Sequence, residues 1–452
     1  MSRARRRGKP RRKQTLLAEP IPLADPVTIE GIAEGGKGIA RVNGKTLFVA
    51  AALTGETVSV SITRRHASYD EAVVTEVLDA SAQRQQPPCE FFQQCGGCSL
   101  QYQLPAAQIV DKQTILLEQL SRIGRVQPEQ VAPPLSGDPW GYRGKARLAV
   151  RYSGAKKRVL VGFRSLQGNG VAEMDHCLIL DPRVSALITP LAEMMNELEG
   201  RERMPQIEVA TDSHTVVLVF RHIERLSEQD RQILREFGDA HRLRVMLQPA
   251  GVDSIHILPP DSADALGYQL PGEQVEIKYF PHQFIQVNGK MNIRMIAQAM
   301  QWLDVEQSDR VADLFCGVGN FTLPLARRAA RVFGIEGEGD LVKQARSNAQ
   351  LNNLANVEFR QHDLFTRFGK EFGQFNKLLL DPPRSGAKLI CENIEQLQPQ
   401  RIVYVSCNPA TLARDAHILV GQKGYRLVRA GVIDMFPHTS HVESMALFER
   451  NG

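Results

Sequence analysis

Short runs of alternating apolar and polar residues occupy the chain between residues 27 and 80. Such alternation predicts β-strands with one buried face. The five predicted strands cover residues 27–33, 38–42, 46–50, 56–63 and 71–78. Asn43-Gly44 separates the second strand from the third and supplies the positive φ angles that a tight hairpin turn requires. Five short strands in about 60 residues predict a small closed barrel of the OB type.

The pattern changes after residue 100. Apolar residues recur at helical spacing over residues 106–123 and predict an amphipathic helix whose apolar face needs a partner surface. The pattern does not identify the domain that supplies this surface. Residues 140–280 mix strand-like runs with one clear helix at 184–198 and a charged helix near 227–237. This region is predicted to be an α+β domain.

From about residue 292 onward, helical stretches alternate with apolar strands. The predicted strands cover residues 310–315, 331–335, 357–361, 377–380 and 401–405, followed by terminal strands at 426–433 and 444–450. This alternation is typical of a doubly wound parallel sheet. Ligands of such sheets bind beyond the carboxyl ends of the strands.

The length of the chain and the distribution of its charges indicate how many domains it has and where they lie. Its 452 residues are enough for about three domains. The first thirteen residues hold eight positive charges and no negative one, and without them the formal net charge of +5 becomes −3. Such a block cannot fold alone and suits a polyanion such as a nucleic acid. The predicted segments are a basic disordered tail (1–20), an OB-like RNA-binding domain (21–82), a central RNA-binding domain (83–280) and a C-terminal α/β domain (281–452).

Composition excludes several classes of protein. A hydrophobic fraction of 43% and a charged fraction of 23% are those of a soluble globular protein. No apolar run approaches the roughly 20 residues of a membrane span, and no secretory signal is recognisable. We therefore expect a cytoplasmic protein that does not enter membranes, and no obligate protein partner is evident. Seven cysteines, an odd number, favour metal ligation or catalysis over a disulfide framework.

A glycine turn follows the first predicted parallel strand, in Asp313-Leu-Phe-Cys-Gly317-Val-Gly319-Asn-Phe-Thr322. Glycines at a turn between strand and helix let the backbone approach a ligand closely. A dinucleotide fingerprint would need a third glycine where this chain has Thr322. The turn therefore disfavours NAD and FAD.

Carboxylates end the next three strands, at Glu336, Asp363 and Asp381. Glu336 lies 17 residues after Gly319, where a carboxylate can accept hydrogen bonds from both hydroxyls of a ribose. Any one of these acids could be only a helix N-cap. Together they suit a nucleoside with a cationic centre and no phosphate, which describes S-adenosylmethionine.

Two further motifs follow the fourth and fifth strands. Asp381-Pro-Pro-Arg384 forms a stiff loop suited to holding a planar base, although Arg384 stands where base amino-group methyltransferases mostly have an aromatic residue. Cys407 comes directly after the fifth strand. A thiolate that adds to C6 of uracil makes C5 reactive, so Cys407 is the predicted nucleophile. Glu443, between the terminal strands, is the predicted base for the C5 proton. A helix N-terminus or a cationic neighbour is expected to activate the thiol.

A cysteine cluster lies upstream, in Cys89-x5-Cys95-Gly-Gly-Cys98, and Cys177 is the one further cysteine before the catalytic sheet. Gly96 and Gly97 allow the backbone to wrap around a metal group. Four cysteines suit either zinc or a [4Fe-4S] cluster. The remote fourth ligand favours iron and sulfur.

These motifs together resemble the bacterial RNA uracil-C5 methyltransferases, from about Val27 to the C-terminus. The combination of a TRAM domain with a [4Fe-4S] cluster resembles the members that act on 23S ribosomal RNA. The resemblance implies an OB-like TRAM barrel, an α+β central domain with the cluster, and a C-terminal Rossmann-like class I methyltransferase domain.

The resemblance also implies roles for individual residues. The family's nucleophile falls on Cys407 and its base on Glu443. Its cluster ligands fall on Cys89, Cys95, Cys98 and Cys177. Its S-adenosylmethionine contacts fall on Gln286, Phe315, Asn320, Glu336, Asp363 and Asp381. The third-strand acid varies within the family. The basic strand around Arg143, Lys145 and Arg147 would line the RNA path.

Four alternatives remain open at this point. A base amino-group methyltransferase would need no covalent step, and a uridine-C5 methyltransferase could act on transfer RNA instead. A radical methylthiotransferase also combines TRAM, a cluster and S-adenosylmethionine, but the spacing Cys89-x5-Cys95 departs from its Cys-x3-Cys-x2-Cys pattern. An RNA-binding assembly factor would use the sheet only as a scaffold.

Overall fold

The computed structural model describes residues 15–166, 168–258, 265–366 and 372–451. The basic residues that end at Lys13 lie outside these ranges. The described residues form two compact units, one that ends at residue 86 and includes 99–107, and one that holds 87–98 and the described residues from 108 onward. The division into four segments made from the sequence remains a prediction.

The first unit is built from short strands, as the alternating pattern predicts. They are β1 to β7, at Thr15–Pro22, Val27–Thr28, Gly31–Ile32, Gly38–Val42, Lys45–Ala50, Thr57–Arg65 and Tyr69–Asp79. They join in the order β1-β6-β7-β5-β4-β3, and β2 also pairs with β6. Asn43 and Gly44 have φ angles of 51° and 78°, the conformation of a tight primed turn. Alternate side chains of these strands form one apolar core.

The predicted tail requires a correction at its C-terminal end. Residues 15–20 belong to β1, where Thr15 pairs with Arg65 and Leu16 with Arg64 of β6. The physical reason is that the run of positive charge stops at Lys13, so the residues after it can join a sheet without bringing like charges together.

The helix predicted at residues 106–123 is α1, Pro105–Gln119, followed by a π-helical turn at Leu120–Gly124. In the second unit its residues from Gln108 onward dock on the C-terminal part of the chain. The His417 ring is hydrogen-bonded to the Gly124 carbonyl oxygen at 2.9 Å. The short strand β8, Gln130–Val131, then pairs with Arg429 and Ala430. The partner surface that the apolar face of α1 needs is therefore supplied by the C-terminal part of the chain.

The central region is α+β. Its strands β9 to β14 are Lys145–Ser153, Arg158–Gly162, Gln206–Thr211, Val216–Arg221, Arg244–Gln248 and His256–Ile257, joined in the order β10-β9-β11-β12-β13-β14. Its helices are α2 (Pro182–Ser185), α3 (Ile188–Glu197) and α4 (Glu228–His241). The hairpin of β15 (Leu266–Leu270) and β16 (Val275–Tyr279) leads to the C-terminal region. The strands β13, β15 and β16 were not predicted from the pattern.

The C-terminal region is a sheet with helices between its strands. The strands β17 to β23 are Arg310–Leu314, Arg331–Glu336, Val357–Gln361, Lys377–Leu380, Arg401–Ser406, Tyr425–Ile433 and Glu443–Arg450. The helices α5 to α9 are Gly289–Leu303, Thr322–Ala326, Gly339–Leu351, Lys388–Glu392 and Pro409–Gln422. Every strand predicted from the sequence in this region is present.

The strand order is β19-β18-β17-β20-β21-β23-β22-β8. Strands β17 to β21 are parallel, and β23 runs antiparallel to β21. The order reverses between β17 and β20, so a crevice opens at their carboxyl ends. Within the described residues, no helix combines the length and the apolar character needed to span a bilayer.

Candidate active site

A cavity of about 660 Å³ lies at the carboxyl ends of the parallel strands. All eight residues predicted to bind the cofactor or to act in catalysis line it: Gln286, Phe315, Asn320, Glu336, Asp363, Asp381, Cys407 and Glu443. Five different strands, β17 to β21, end at this edge. Residues far apart in sequence therefore meet because parallel strands align their ends.

The glycine turn after β17 holds Glu336 in place. The Gly317 amide donates to Glu336 Oε2 at 3.1 Å, and the Glu338 amide donates to Oε1 at 3.1 Å. Phe315 and Gly317 have φ angles of 67° and 55°, which bend the chain sharply at the cavity wall. With both carboxylate oxygens oriented by amides, the remaining lone pairs of Glu336 can accept hydrogen bonds from a diol.

Asn320 is fixed by a second set of contacts. Its side-chain amide exchanges hydrogen bonds of 3.0 and 2.9 Å with Asn292 of α5, and the Tyr268 hydroxyl donates to its Oδ1 at 2.8 Å. Gln286 reaches the same cavity from the segment before α5, where the Gly144 amide donates to the Val287 carbonyl at 2.9 Å. Periodicity does not mark Gln286, because it lies in an irregular segment.

Cys407 follows β21 and immediately precedes Asn408, the N-cap of α9. The Asn408 side chain accepts from the amides of Ala410 and Thr411, which keeps the thiol at the start of the helix. Even so, burial and the nearby Glu443 and Asp381 carboxylates raise the pKa of Cys407 to about 11, and Arg384 acts in the opposite sense. Burial, and after it the neighbouring acids, therefore outweigh the activation expected from the helix and a cation.

Glu443 is the first residue of β23 and is 4% exposed. Burial raises its pKa well above the usual value, the Asp381 charge adds to this effect, and Arg384 opposes it. Burial also raises the pKa of Asp381 to about 7. Burial, together with the repulsion between these two acids, thus favours the protonated forms of their carboxyl groups.

Arg384 and His441 also line the cavity, and the sequence motifs gave neither a role. Arg384 Nη2 donates to His441 Nδ1 at 2.8 Å. Burial, followed by the charge of Arg384, lowers the pKa of His441. Because Nδ1 accepts from Arg384, a neutral His441 ring carries its proton on Nε2.

None of the four cluster cysteines lines this cavity. Cys95 and Cys177 are each 8% exposed and belong to the core of the central region, and Cys98 packs against that core. The Gly97 amide donates to Cys95 Sγ at 3.4 Å, and a Cβ atom at Gly97 would contact the same sulfur. Burial raises the pKa of Cys95 to about 11, with smaller contributions from Cys177 and Cys89. The side chains of Glu90, Asp175 and His176, next to two of these cysteines, also lie within 4.8 Å of one another.

The chain is similar to known RNA methyltransferases over most of its length. A model of the tRNA (uracil-5-)-methyltransferase family matches residues 140–451, and a TRAM domain model matches residues 26–75. The chain is 48% identical over 428 residues to the protein named 23S rRNA (uracil(1939)-C(5))-methyltransferase RlmD of Thiobacillus denitrificans, covering 94% of this chain and 99% of that protein. A protein of the same name from Nitrosospira multiformis is 46% identical over 434 residues, covering 95% of this chain and 99% of that protein.

The fold is also similar to a solved structure. The Pyrococcus abyssi tRNA (uracil-54, C5)-methyltransferase, in complex with S-adenosyl-L-homocysteine, has a TM-score of 0.72 and 22% identity and covers 94% of this chain and 100% of that chain. The predicted N-terminal TRAM domain and C-terminal methyltransferase fold are confirmed. The chain therefore belongs to the tRNA (uracil-5-)-methyltransferase family.

Proposed function

We propose that this protein transfers a methyl group from S-adenosylmethionine to C5 of a uridine in 23S ribosomal RNA. The observation that carries the proposal is that Cys407 and Glu443 line the same cavity as the strand-end acids. The curated relatives named above support ribosomal RNA as the substrate class. Because RNA modification of this kind takes place where ribosomes assemble, we also propose a cytoplasmic location.

The residues around the cavity fit S-adenosylmethionine. In this proposal Glu336 binds the ribose hydroxyls, and Phe315, Asn320, Gln286 and Asp363 contact the rest of the nucleoside and the amino-acid part. Asp381 and Cys407 line the same cavity as these residues. S-adenosylmethionine supplies an electrophilic methyl group next to a positive charge, which suits a cavity rich in carboxylates.

The protein residues account for the remaining chemistry. The Cys407 thiolate forms a bond to C6, and the C5–C6 π electrons move to give an enolate. C5 then bonds to the methyl carbon, whose bond to sulfur breaks with its electron pair left on sulfur. Glu443 removes the C5 proton, the double bond forms again, and the C6–S bond breaks to release the Cys407 thiolate.

The rate at which Cys407 is alkylated should depend on pH and on a positive charge bound nearby. With a pKa near 11, alkylation of Cys407 by iodoacetamide should rise about tenfold per pH unit between pH 7 and 10. A bound sulfonium should lower that pKa, because a nearby cation favours the thiolate. At pH 7.5 alkylation should therefore be faster with S-adenosylmethionine than with S-adenosylhomocysteine, which lacks the charge. Equal rates with the two ligands would contradict this account, and Cys407→Ala measures the background.

RNA binding is proposed to use the basic strand β9 and the TRAM domain. Arg147 is exposed but forms a 2.7 Å ion pair with Glu208. Lys145 is turned inward to the Gln283 carbonyl, and burial lowers its pKa to about 8. Phosphate contacts at β9 and just before it therefore depend more on Arg143 and Arg147 than on Lys145.

We further propose that Cys89, Cys95, Cys98 and Cys177 hold a [4Fe-4S] cluster. Buried thiols with raised pKa values, approached by the Gly97 amide, suit coordination to a cationic metal group that deprotonates them. The bound cluster would tie the segment before α1 to the segment around Cys177.

Removal of one ligand tests the cluster. Cys177→Ser in protein purified without oxygen should lower the iron and sulfide content and the broad visible absorbance, and should lower the melting temperature. The matched variant Cys391→Ser changes a buried cysteine outside the cluster and should keep the iron content. Undiminished iron in Cys177→Ser would exclude Cys177 as a ligand, and zinc in place of iron would exclude the cluster.

Trapping on 5-fluorouridine RNA tests the function itself. Fluorine at C5 cannot leave as a proton, so a fragment of 23S RNA with 5-fluorouridine should form a stable methylated adduct with the protein. Peptide mapping should find the RNA on Cys407. An adduct at another residue, or transfer of methyl groups to transfer RNA but not to the 23S fragment, would overturn the proposal.

A further inference from the structure

The nine residues 434–442 connect β22 to β23, and we call them the catalytic loop. The loop places Phe436 and His441 on the cavity wall. It ends at Glu443, which pairs with Ile433 across the hairpin. The loop therefore leads directly into the proposed base.

Lys112 of α1 holds the first half of this loop. Its ammonium group donates to Asp434 Oδ1 at 2.7 Å and to the Phe436 carbonyl at 3.0 Å. The two charged side chains are only 2% and 6% exposed. A buried ion pair of this kind imposes a specific geometry, because each charge would be left without compensation if the loop moved away.

Gln108, one turn earlier on α1, holds the middle of the loop. Its Oε1 accepts from the His438 backbone amide at 2.9 Å, and its side-chain amide donates to His438 Nδ1 at 3.2 Å. His438 is fully buried and has a φ of 63°. A non-glycine residue keeps this left-handed conformation only where its surroundings enforce it, and such residues cluster at functional sites.

Residues 140–142 form a second segment that contacts the catalytic loop. The Trp140 ring stacks on the His438 ring with 3.8 Å between the centroids and 21° between the planes. The Tyr142 hydroxyl donates to the Pro437 carbonyl at 3.0 Å. Three consecutive loop residues, 436 to 438, are thus bonded to side chains that lie about 300 residues earlier in the chain.

We propose that Gln108 and Lys112 are positioning residues of the methyltransferase, which hold the catalytic loop so that Glu443 can take the C5 proton. This inference rests on the proposed function. Neither residue lines the cavity, so both act through the loop. α1 thereby belongs functionally to the catalytic domain, although the predicted division of the chain assigns it to the central segment.

A loosened catalytic loop should affect mainly one step of the reaction, the removal of the C5 proton. Removal of the proton needs Glu443 within hydrogen-bond reach of C5. Attack on C6 uses Cys407, which is carried by β21 and α9 and not by the loop. Loosening the loop should therefore slow the release of RNA more than the formation of the methylated adduct.

The experiment uses the full-length protein, S-adenosylmethionine and a natural uridine-containing fragment of 23S RNA. Gln108→Met removes both hydrogen bonds to His438 at nearly constant volume. We expect kcat to fall about tenfold or more, KM for RNA to stay within about threefold, and a covalent protein-RNA adduct to accumulate on denaturing gels. The matched control Gln119→Met, at the end of the same helix, should show wild-type kinetics and no adduct.

A second variant covers the case in which the first does not fold. Lys112→Met with Asp434→Leu removes both charges of the buried pair and leaves no isolated charge. It should also accumulate the adduct. Wild-type turnover in either folded variant, or loss of methyl transfer without any adduct, would overturn the inference.

The reference variant Glu443→Gln separates this inference from the proposed function. If Glu443→Gln accumulates the adduct and the Gln108 and Lys112 variants do not, the positioning role is wrong and the base assignment stands. If Glu443→Gln itself forms no adduct, the proposed mechanism is wrong at the base.

Discussion

Replacement of Cys407 by alanine is expected to abolish turnover, with a loss of about 10⁴-fold or more in kcat. The physical reason is that uracil C5 is too weak a nucleophile to accept a methyl group unless a group adds to C6. Affinity for S-adenosylmethionine should change little, because the strand-end acids remain in place. Incorporation of labelled methyl groups into a 23S RNA fragment, together with calorimetric titration of the cofactor, measures both quantities.

The matched control for this prediction is Cys391→Ala. Cys391 is buried in the sheet domain but does not line the cavity. Its loss should lower stability modestly and leave turnover in place. Full turnover in Cys407→Ala would rule out the covalent scheme and favour direct methylation of a base.

Glu443→Gln should separate the two halves of the reaction. Glutamine keeps the shape of the side chain but cannot accept the C5 proton, so methyl transfer should proceed while release of the RNA fails. We expect kcat to fall about 10²- to 10⁴-fold, with a methylated protein-RNA adduct that survives denaturation. Rapid-quench measurement of methyl transfer and gel analysis of the adduct check both parts.

Conservative replacement provides the control. Glu443→Asp keeps a carboxylate and should release part of the RNA, whereas glutamine should not. Full release of the RNA by Glu443→Gln would exclude Glu443 as the base.

The electrostatics of the cavity connect these expectations. Burial, Glu443 and Asp381 all raise the pKa of Cys407, and Arg384 is the cation that opposes them. A cationic methyl donor would supply the missing positive charge. The nucleophile would then become reactive mainly when the donor is present, which limits unproductive attack on RNA.

Much of the active site could be predicted from local sequence. Parallel strands buried on both faces appear as continuous apolar runs, and the residue after each run must lie at the same edge of the sheet. That rule alone brings Glu336, Asp381 and Cys407 together, and the structure places all three on one cavity. Gln286 came only from the family resemblance, because it lies in an irregular segment without a periodic pattern.

The sequence by itself determined the strands β17 to β23, the glycine turn and the order of the groups at the edge of the sheet, because these depend on periodicities of a few residues. Only the tertiary structure decided where α1 docks, how His438 is held and in which direction the pKa of Cys407 shifts. Those features depend on contacts between Gln108 or Lys112 and residues more than 300 positions later, and on the summed charge of groups from several strands. No local pattern carries such information, since burial and charge at a site come from the whole fold.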